Sequence, residues 1–431
     1  MLTGQTTFEP VDWINSMLQG IPDLAHRVQG VLIYIAGGRA SAANLIGPIA
    51  VAVSAFAVWS VSRGTRVLRW YLTGFLAVPM LVMHSVCSYI DLWNGAFLAT
   101  GFIFLVQLIR WGRTGSAAIA PKAAVTGCLL AFAVSFNSKY QSWPFILLFG
   151  IWILVGIALV WKRDAGLARG CLGIVALCTP LFLIHPVKNA LVHGNPTHPI
   201  YNPIMVPENA ENLQNPTILE GVKPQIPMAY WESPGPTRYI YSVFELSRLM
   251  PSKFPMNWSI DSGRYPVGNA SPHFRMGGWF FATVLVFLLA IGCGFRFRAL
   301  DLLPICIFGS AAVSAAFMPQ SHELRYWLFL PLSAAYLTGE ALARLPRRAA
   351  IPLQGALVAC AGFVLWTVLA PFTIDASPAA DYAPEMAKKF WVAREADMDG
   401  RTIIVSAHPR TIFWAGPDFN TFKVRDMQRA E

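Results

Sequence analysis

Residues 143–161 read WPFILLFGIWILVGIALVW, an unbroken apolar run that is followed at once by Lys162 and Arg163. A helix of this length crosses a hydrocarbon core of about 30 Å. The pattern recurs, because apolar runs alternate along the chain with short connections rich in Lys and Arg. The composition agrees, with 55% hydrophobic and 13% charged residues and a mean hydropathy of +0.48. These values exclude a soluble globular domain.

The apolar runs predict an all-α polytopic membrane protein with about ten transmembrane helices. We also predict a large extracytoplasmic loop rich in proline and aromatic residues, and a small α/β extracytoplasmic tail at the C-terminus. The run 123–137 is the shortest, and 70–88 is separated from the next run by only three residues. The predicted spans are 43–62, 70–88, 92–109, 123–137, 143–161, 170–186, 277–295, 299–317, 326–343 and 351–371.

The distribution of charge orients these spans. Alternate assignment of the connections places most of their basic residues on one side, which the positive-inside rule makes cytoplasmic. The net charge of +10 therefore indicates topology and contact with anionic lipid, and not binding to nucleic acid. The residues on this side are Arg63, Arg66, Arg69, Arg110, Arg113, Lys122, Lys162, Arg163, Arg169, Arg296, Arg298, Arg344, Arg347 and Arg348, with Asp164, Asp301 and Glu340 as the acids.

This orientation places both termini and the large loop outside the cytoplasm. Segment 13–36 has apolar residues at helical spacing, which favours an interfacial helix, with a short eleventh span as the alternative. One helix is expected near 237–250 in the loop, and a helix near 380–396 with strands at 401–406 and 411–414 in the tail. The predicted domains are an N-terminal segment 1–40, a six-span half 41–186, a cap loop 187–276, a four-span half 277–371 and the tail 372–431.

Two polar groups lie at predicted outer turns between spans. Asp91 follows Ser88-Tyr-Ile, and an acid at such a depth indicates function unless it is a helix N-cap in a plain turn. Lys139 and Tyr140 occupy the next outer turn. Lys139 is suited to hold a lipid-linked phosphate, and the alternative is a side chain that snorkels to lipid headgroups.

Two further groups lie beside the large loop. His322, Glu323 and Arg325 precede a span and combine a titratable imidazole with a guanidinium suited to phosphate, unless Glu323 and Arg325 form only a structural salt bridge. The other group begins at His185-Pro-Val-Lys188-Asn189 and continues through turn formers from His193 to Tyr201. All eight histidines lie on or near the predicted outer side, so a divalent metal is a candidate cofactor, but none of them has a recognised ligand spacing.

Together these motifs resemble the GT-C superfamily of membrane glycosyltransferases over most of residues 20–345. Ser88-Tyr-Ile-Asp91 is similar to the Asp of the family's second outer turn, and Lys139-Tyr140 to the basic residue of the next turn. Gly194-Asn-Pro-Thr-His-Pro199 is similar to the GNPxxP element that opens the large loop. Glu323-Leu-Arg325-Tyr326 is similar to the RY element before a late span.

The resemblance implies transfer of a sugar from a polyprenyl-phosphate donor to a glycan, lipid or protein acceptor, on the outer face of a bacterial inner membrane. The implied partners are this donor, this acceptor and membrane lipids. In such a scheme a carboxylate acts as general base and cationic side chains offset the charge of the departing phosphate. The implied catalytic residues are Asp91, His322 and Glu323, and the implied substrate-binding residues are Lys139, Tyr140, Lys188, Asn195, His198, Arg325 and Tyr326.

The sequence departs from the family pattern near its start. The family's principal carboxylate follows a first span, whereas only Glu9 and Asp12 precede segment 13–36 here. Either the chain starts late relative to the gene product, or Glu9 or Asp12 substitutes, or the protein is a non-catalytic relative.

Functions from other classes stay open. A membrane scaffold or accessory subunit fits the departure near the start, and an O-antigen-type polymerase or ligase would differ by requiring lipid-linked oligosaccharide. A secondary transporter is disfavoured because the spans carry almost no charge at mid-membrane.

Overall fold

The computed structural model describes residues 22–37, 40–62, 64–86, 89–198, 234–244, 280–318, 321 and 324–366. Every regular element in these ranges is a helix, which confirms the all-α prediction for them. Short 3-10 helices occupy Ala40–Leu45, Tyr140–Ser142 and Leu324–Trp327. The α-helices are α1 (Leu24–Ile35), α2 (Ile46–Val61), α3 (Thr65–Leu76), α4 (Pro79–His84), α5 (Ile90–Thr114), α6 (Pro121–Phe136), α7 (Trp143–Trp161), α8 (Ala165–His193), α9 (Gly235–Phe244), α10 (Phe280–Arg296), α11 (Leu302–Phe317), α12 (Phe329–Arg344) and α13 (Arg347–Trp366).

Several of these helices have the length and composition of membrane spans. Among the described residues, five helical stretches are long and apolar enough to cross a membrane, and α6, α10 and α11 are shorter apolar helices. The described part of the chain is therefore that of a helical membrane protein. The prediction of ten spans goes beyond these five and stays a prediction. The five stretches are Ala42–Val61, Ile90–Thr114, Tyr140–Trp161, Ala165–His193 and Arg347–Trp366.

The apolar run 70–88 does not form one continuous helix, which corrects the expectation for that span. Helix α3 ends at Leu76, and α4 begins at Pro79 and ends at His84. Val78, directly before the proline, is extended with φ −111° and ψ 108°. The proline ring disfavours helical geometry at the preceding residue and removes a backbone donor, so the helix is interrupted there. The break sets His84 at the end of a separate short helix.

Helix α5 is the centre of the bundle. In its most apolar stretch 89% of the residues are buried, compared with 17% in that of the peripheral α8. Helix α5 packs against α2, α6, α7 and α12, and α12 packs in turn against α3 and α10. Glycine permits the close approach of α12 to α3, because a Cβ at Gly339 would lie 2.8 Å from the carbonyl oxygen of Val67. Helix α12 is thus packed against both α3 and α5.

Aromatic side chains fill the space between the central helices. Phe132 of α6 stacks on Phe149 of α7 with ring centroids 5.2 Å apart, and Phe329 of α12 meets Phe149 edge-on at 6.2 Å. Phe102 of α5 meets Tyr336 of α12 edge-on at 6.4 Å. Stacked and edge-to-face pairs are the favoured aromatic geometries. The middle of the bundle is thus an apolar core, and the polar clusters lie at its two ends.

The described peripheral helices overlap two of the sequence predictions. Helix α1 falls within the predicted interfacial segment 13–36, and its Tyr34 and Ile35 side chains are 72% and 75% exposed. Helix α9 covers part of the helix predicted near 237–250. The rest of the cap loop, the tail 372–431, Glu9 and Asp12 lie outside the described residues.

Candidate functional site

The candidate site begins with Asp91 in the first turn of α5. Tyr89, directly before the helix, is extended, and an acid in the first turn is favoured by the positive end of the helix dipole. The Asp91 side chain is only 3% exposed and forms an ion pair with Lys139, which lies 48 residues later and is 13% exposed. A buried carboxylate needs such a partner. The structure therefore joins two of the four polar groups that the sequence singled out.

A third group reaches the same place through Tyr326. The Lys139 Nζ atom lies 4.1 Å from the centroid of the Tyr326 ring, and the Arg325 Cζ atom lies 4.8 Å from it. Arg325 Nη2 also donates a hydrogen bond of 3.1 Å to Tyr326 Oη. A cation held against an aromatic face is attracted by the ring quadrupole. Asp91, Lys139, Arg325 and Tyr326 form one cluster, called here the outer cluster after the side of the membrane that the sequence predicts for it.

Hydrogen bonds behind the outer cluster fix the turn that carries Lys139. Trp93 Nε1 donates to Ser138 Oγ at 3.2 Å, and Ser135 Oγ donates to Asn94 Oδ1 at 2.6 Å. Ser135, Ser138 and Asn94 are almost fully buried. These bonds join the start of α5 to the end of α6, so Lys139 is held opposite Asp91 by the scaffold.

His84 is a member of this neighbourhood that the sequence analysis did not select. It is fully buried at the end of α4, its ring lies 5.3 Å from the ring of Tyr89, and it lies within electrostatic range of Asp91. Arg325 also lies within that range of Asp91. The signal in the sequence was a histidine inside an otherwise apolar run. The sequence analysis also did not predict the helix break at Pro79, after which the short helix that ends at His84 begins.

Tyr140 belongs to a second, adjacent cluster. Its hydroxyl lies 3.2 Å from His185 Nε2, accepts a 2.9 Å hydrogen bond from Asn189 Nδ2 and donates to the carbonyl oxygen of His198. Asn189 Nδ2 also donates to that carbonyl at 2.8 Å. Tyr140 and Asn189 thereby attach the chain after α8 to the end of the bundle. We call Tyr140, His185, Asn189 and the turn 193–198 the docking cluster.

Asn195 and His198 are mainly engaged within the docking cluster. The Asn195 side-chain oxygen accepts 2.9 Å bonds from the backbone N–H and the hydroxyl of Thr197, which shapes the turn. His198 stacks on His193 with centroids 4.0 Å apart. Asn195 is 2% and His198 7% exposed. The structure thus places these two predicted substrate-binding residues in the turn after α8, and their role in binding stays a prediction.

Three predicted residues remain. Lys188 lies towards α1, where Asp23 and Arg27 are its charged neighbours. His322 and Glu323 lie outside the described residues, and Arg325 of the outer cluster comes two positions after Glu323 in the sequence. Among the side chains that the structure describes, no group of three His, Cys, Asp or Glu residues is placed to hold a metal ion.

The outer cluster has a distinct electrostatic character. Lys139 pairs with the Asp91 carboxylate and Arg325 lies within electrostatic range of it, so the four side chains of the cluster together carry one more positive than negative charge. Charges that are shielded from water interact strongly with each other and with any anion that approaches. The arrangement can hold an anionic group against an ammonium and a guanidinium, beside a carboxylate able to accept a proton.

The described fold and site define a helical membrane protein with a charged cluster at one end of its central helix. Comparison with known protein families, with characterised proteins and with solved structures finds no match for this chain. Function is therefore inferred from the site itself.

Proposed function

We propose that the chain is a GT-C-type membrane glycosyltransferase that moves a sugar from a polyprenyl-phosphate donor to a glycan, lipid or protein acceptor. The observation that carries the proposal is the convergence of Asp91, Lys139, Arg325 and Tyr326 from three separate motifs. These motifs are the ones that resemble the family, and they are far apart in the sequence. Their meeting at one point supports a common role.

The proposed chemistry uses the charges of the outer cluster. The acceptor hydroxyl oxygen attacks the anomeric carbon of the sugar, and the bond from that carbon to the phosphate oxygen breaks. Polyprenyl phosphate departs with the electron pair, and Lys139 and Arg325 offset its growing negative charge. Asp91 takes the proton of the acceptor hydroxyl as general base. His322 and Glu323, which precede Arg325 in sequence, are further candidates for proton transfer.

The proposed location is the outer face of a bacterial inner membrane. Asp91 lies at the start of α5, and the basic residues Arg110 and Arg113 lie at its other end. The positive-inside rule assigns the basic end to the cytoplasm, so the outer cluster faces away from it. In this proposal the chain has ten spans, and both termini and the loop after α8 are extracytoplasmic.

The first test is mutation of the outer cluster in the native host. A strain that lacks the protein is complemented with Asp91→Asn or Arg325→Ala, and its envelope glycans and glycolipids are compared by mass spectrometry. We expect both variants to reach the membrane at normal abundance and to lose the product. Asp301→Asn and Arg113→Ala, from an exposed ion pair at the other end of the molecule, are matched controls. Unchanged products in both site variants would contradict the catalytic assignment.

The second test addresses the donor directly. Binding of undecaprenyl phosphate to the purified full chain is measured by native mass spectrometry. We expect Lys139→Ala and Arg325→Ala to weaken binding by about tenfold or more, because each charge-assisted contact to phosphate contributes on the order of 1.4 kcal/mol or more. Arg113→Ala should bind normally. Equal binding by all four proteins would remove phosphate recognition from the cluster.

A second candidate function is that of a non-catalytic membrane scaffold. The observation in its favour is that the Asp91 carboxylate is 3% exposed and already paired with Lys139, as in a structural ion pair. A scaffold would keep its role when Asp91 becomes Asn. Normal host glycans in the Asp91→Asn and Arg325→Ala strains, together with an altered composition of co-purified envelope proteins in the deletion strain, would favour this function.

A further inference from the structure

A second polar region lies at the opposite end of the bundle. A cavity of about 610 Å³ opens between the end of α2, the start of α3, the α5–α6 connection and the ends of α5 and α12. Three arginines line it, Arg66, Arg110 and Arg344, with Glu340 as the acid among the lining residues. Its volume lies within the range of small-molecule sites. The region is separate from the outer cluster, because Asp91 and Arg110 are 19 positions apart on α5, roughly 28 Å along the axis.

Two of the three arginines are held in place by Glu340. The Glu340 side chain is 2% exposed and accepts bonds from Arg110 at 2.5 and 3.5 Å and from Arg344 at 3.0 Å. Tyr336 Oη donates to the same carboxylate at 3.3 Å, and Gln107 Nε2 donates to Tyr336 at 3.1 Å. The guanidiniums are therefore oriented before any ligand arrives, which reduces the cost of ordering them on binding.

The cavity keeps positive charge that Glu340 does not neutralise. One carboxylate serves two guanidiniums, and Arg66 adds a third, exposed cation. The Arg344 side chain is 45% exposed, so part of it is accessible from the cavity. The first turn of α3 also lines the cavity and has no side-chain cap, so its backbone N–H groups add to the positive potential. The planar guanidinium fork matches the geometry of phosphate oxygens.

From this arrangement we propose that the cavity is a phosphate-binding site, for the phosphate of an anionic lipid headgroup or of a small soluble phosphate ester. Arg66 and Arg344 contact the phosphate oxygens, and Glu340 with Arg110 positions Arg344. The proposal does not depend on glycosyl transfer, since it concerns the other end of the molecule.

Binding is tested on the purified full chain in neutral detergent. It is measured as a shift in the midpoint of thermal unfolding, which tryptophan fluorescence monitors. The probes are phosphatidylglycerol, phosphatidylcholine as a lipid of zero net charge, and sn-glycerol 3-phosphate as a soluble ester. We expect phosphatidylglycerol to raise the unfolding midpoint and phosphatidylcholine to have a smaller effect. A matching rise with sn-glycerol 3-phosphate would support the site and identify a soluble ligand. No rise with either phosphatidylglycerol or sn-glycerol 3-phosphate would overturn the proposal.

Two variants locate the effect. Arg66→Glu should weaken binding at least tenfold without harming the fold, because Arg66 is exposed. Arg69→Glu makes the same charge change on the same helix, where Arg69 is also exposed but packs over Trp70 and does not line the cavity, and it should bind normally. Ala117→Trp fills the cavity without altering any charge and should also weaken binding. Equal responses of the Arg66 and Arg69 variants would overturn the proposal, as would normal binding by the Ala117→Trp variant.

Discussion

The two ends of helix α5 carry charged clusters that differ in how many cations pair with the carboxylate and in how exposed these cations are. At the outer end, Asp91 meets one ammonium, and both side chains are at least 87% buried. At the inner end, Glu340 meets two guanidiniums, and Arg344 is nearly half exposed. A buried pair interacts strongly but has lost its hydration, whereas a partly open cluster keeps charge available to a ligand. The Asp91–Lys139 pair is thus more fully buried than the network around Glu340, where part of Arg344 is open to solvent.

Basic residues at the two ends also differ in the contacts they make. The positive-inside rule counts basic residues and does not consider their contacts. At the inner end Arg110 and Arg344 are among the residues that predict the orientation, and they also form the network around Glu340. At the outer end Lys139 is committed to Asp91 and Tyr326. Substitutions at the two ends should therefore have different consequences.

The largest effect on stability is expected from Glu340→Ala. The substitution leaves two guanidiniums without their carboxylate, and the Arg110 side chain is only 15% exposed. Loss of one partner from a buried ion pair costs about 3–5 kcal/mol. Thermal unfolding in detergent measures the change. Arg344→Ala, which removes the more exposed partner, should cost much less. If the two variants unfold alike, the inner network does not depend on Glu340.

At the outer end, a double-mutant cycle of Asp91→Asn and Lys139→Met should give a coupling free energy of about 1–3 kcal/mol. Each single change leaves a buried group without its partner, and the double change removes both. Unfolding in denaturant supplies the four stabilities. Additive effects would mean that the two side chains are not an ion pair, and the outer cluster would lose its main contact.

Asn189→Ala should have an intermediate effect through the docking cluster. It removes the bonds from Asn189 to Tyr140 and to the carbonyl of His198, at a cost of about 1–3 kcal/mol. Hydrogen exchange at residues 195–198 should increase more than exchange in α5. Protection at residues 195–198 equal to that of the unsubstituted protein would show that other contacts hold this turn against the bundle.

The smallest effect is expected from Arg113→Ala, also at the inner end. Its ion pair with Asp301 is 3.2 Å long, but the two side chains are 41% and 38% exposed. Such pairs contribute at most about 1 kcal/mol because water and salt screen them. The unfolding midpoint should hardly change. A shift as large as that of Glu340→Ala would remove the contrast between buried and exposed ion pairs at this end.

Part of the candidate site was predictable from the sequence. Charged residues at membrane boundaries are costly without a role, and this rule indicates Asp91, Lys139 and Arg325. The structure places these three together. Motif resemblance indicates Tyr140, Asn195 and His198, and the structure places them in the docking cluster. No local pattern indicates His84, whose electrostatic interaction with Asp91 arises only in the folded chain.

The amino-acid sequence by itself determined that this is a helical membrane protein, because hydrophobic length and composition act locally and require no knowledge of neighbours. It also identified the charged residues at the ends of the helices. Only the tertiary structure decided which of them meet. The packing of α5 against α6 and α12 joins Asp91 to Lys139 and Arg110 to Glu340, and both pairs are distant in sequence. Ion pairs depend on three-dimensional distance and burial, which no local pattern of residues contains.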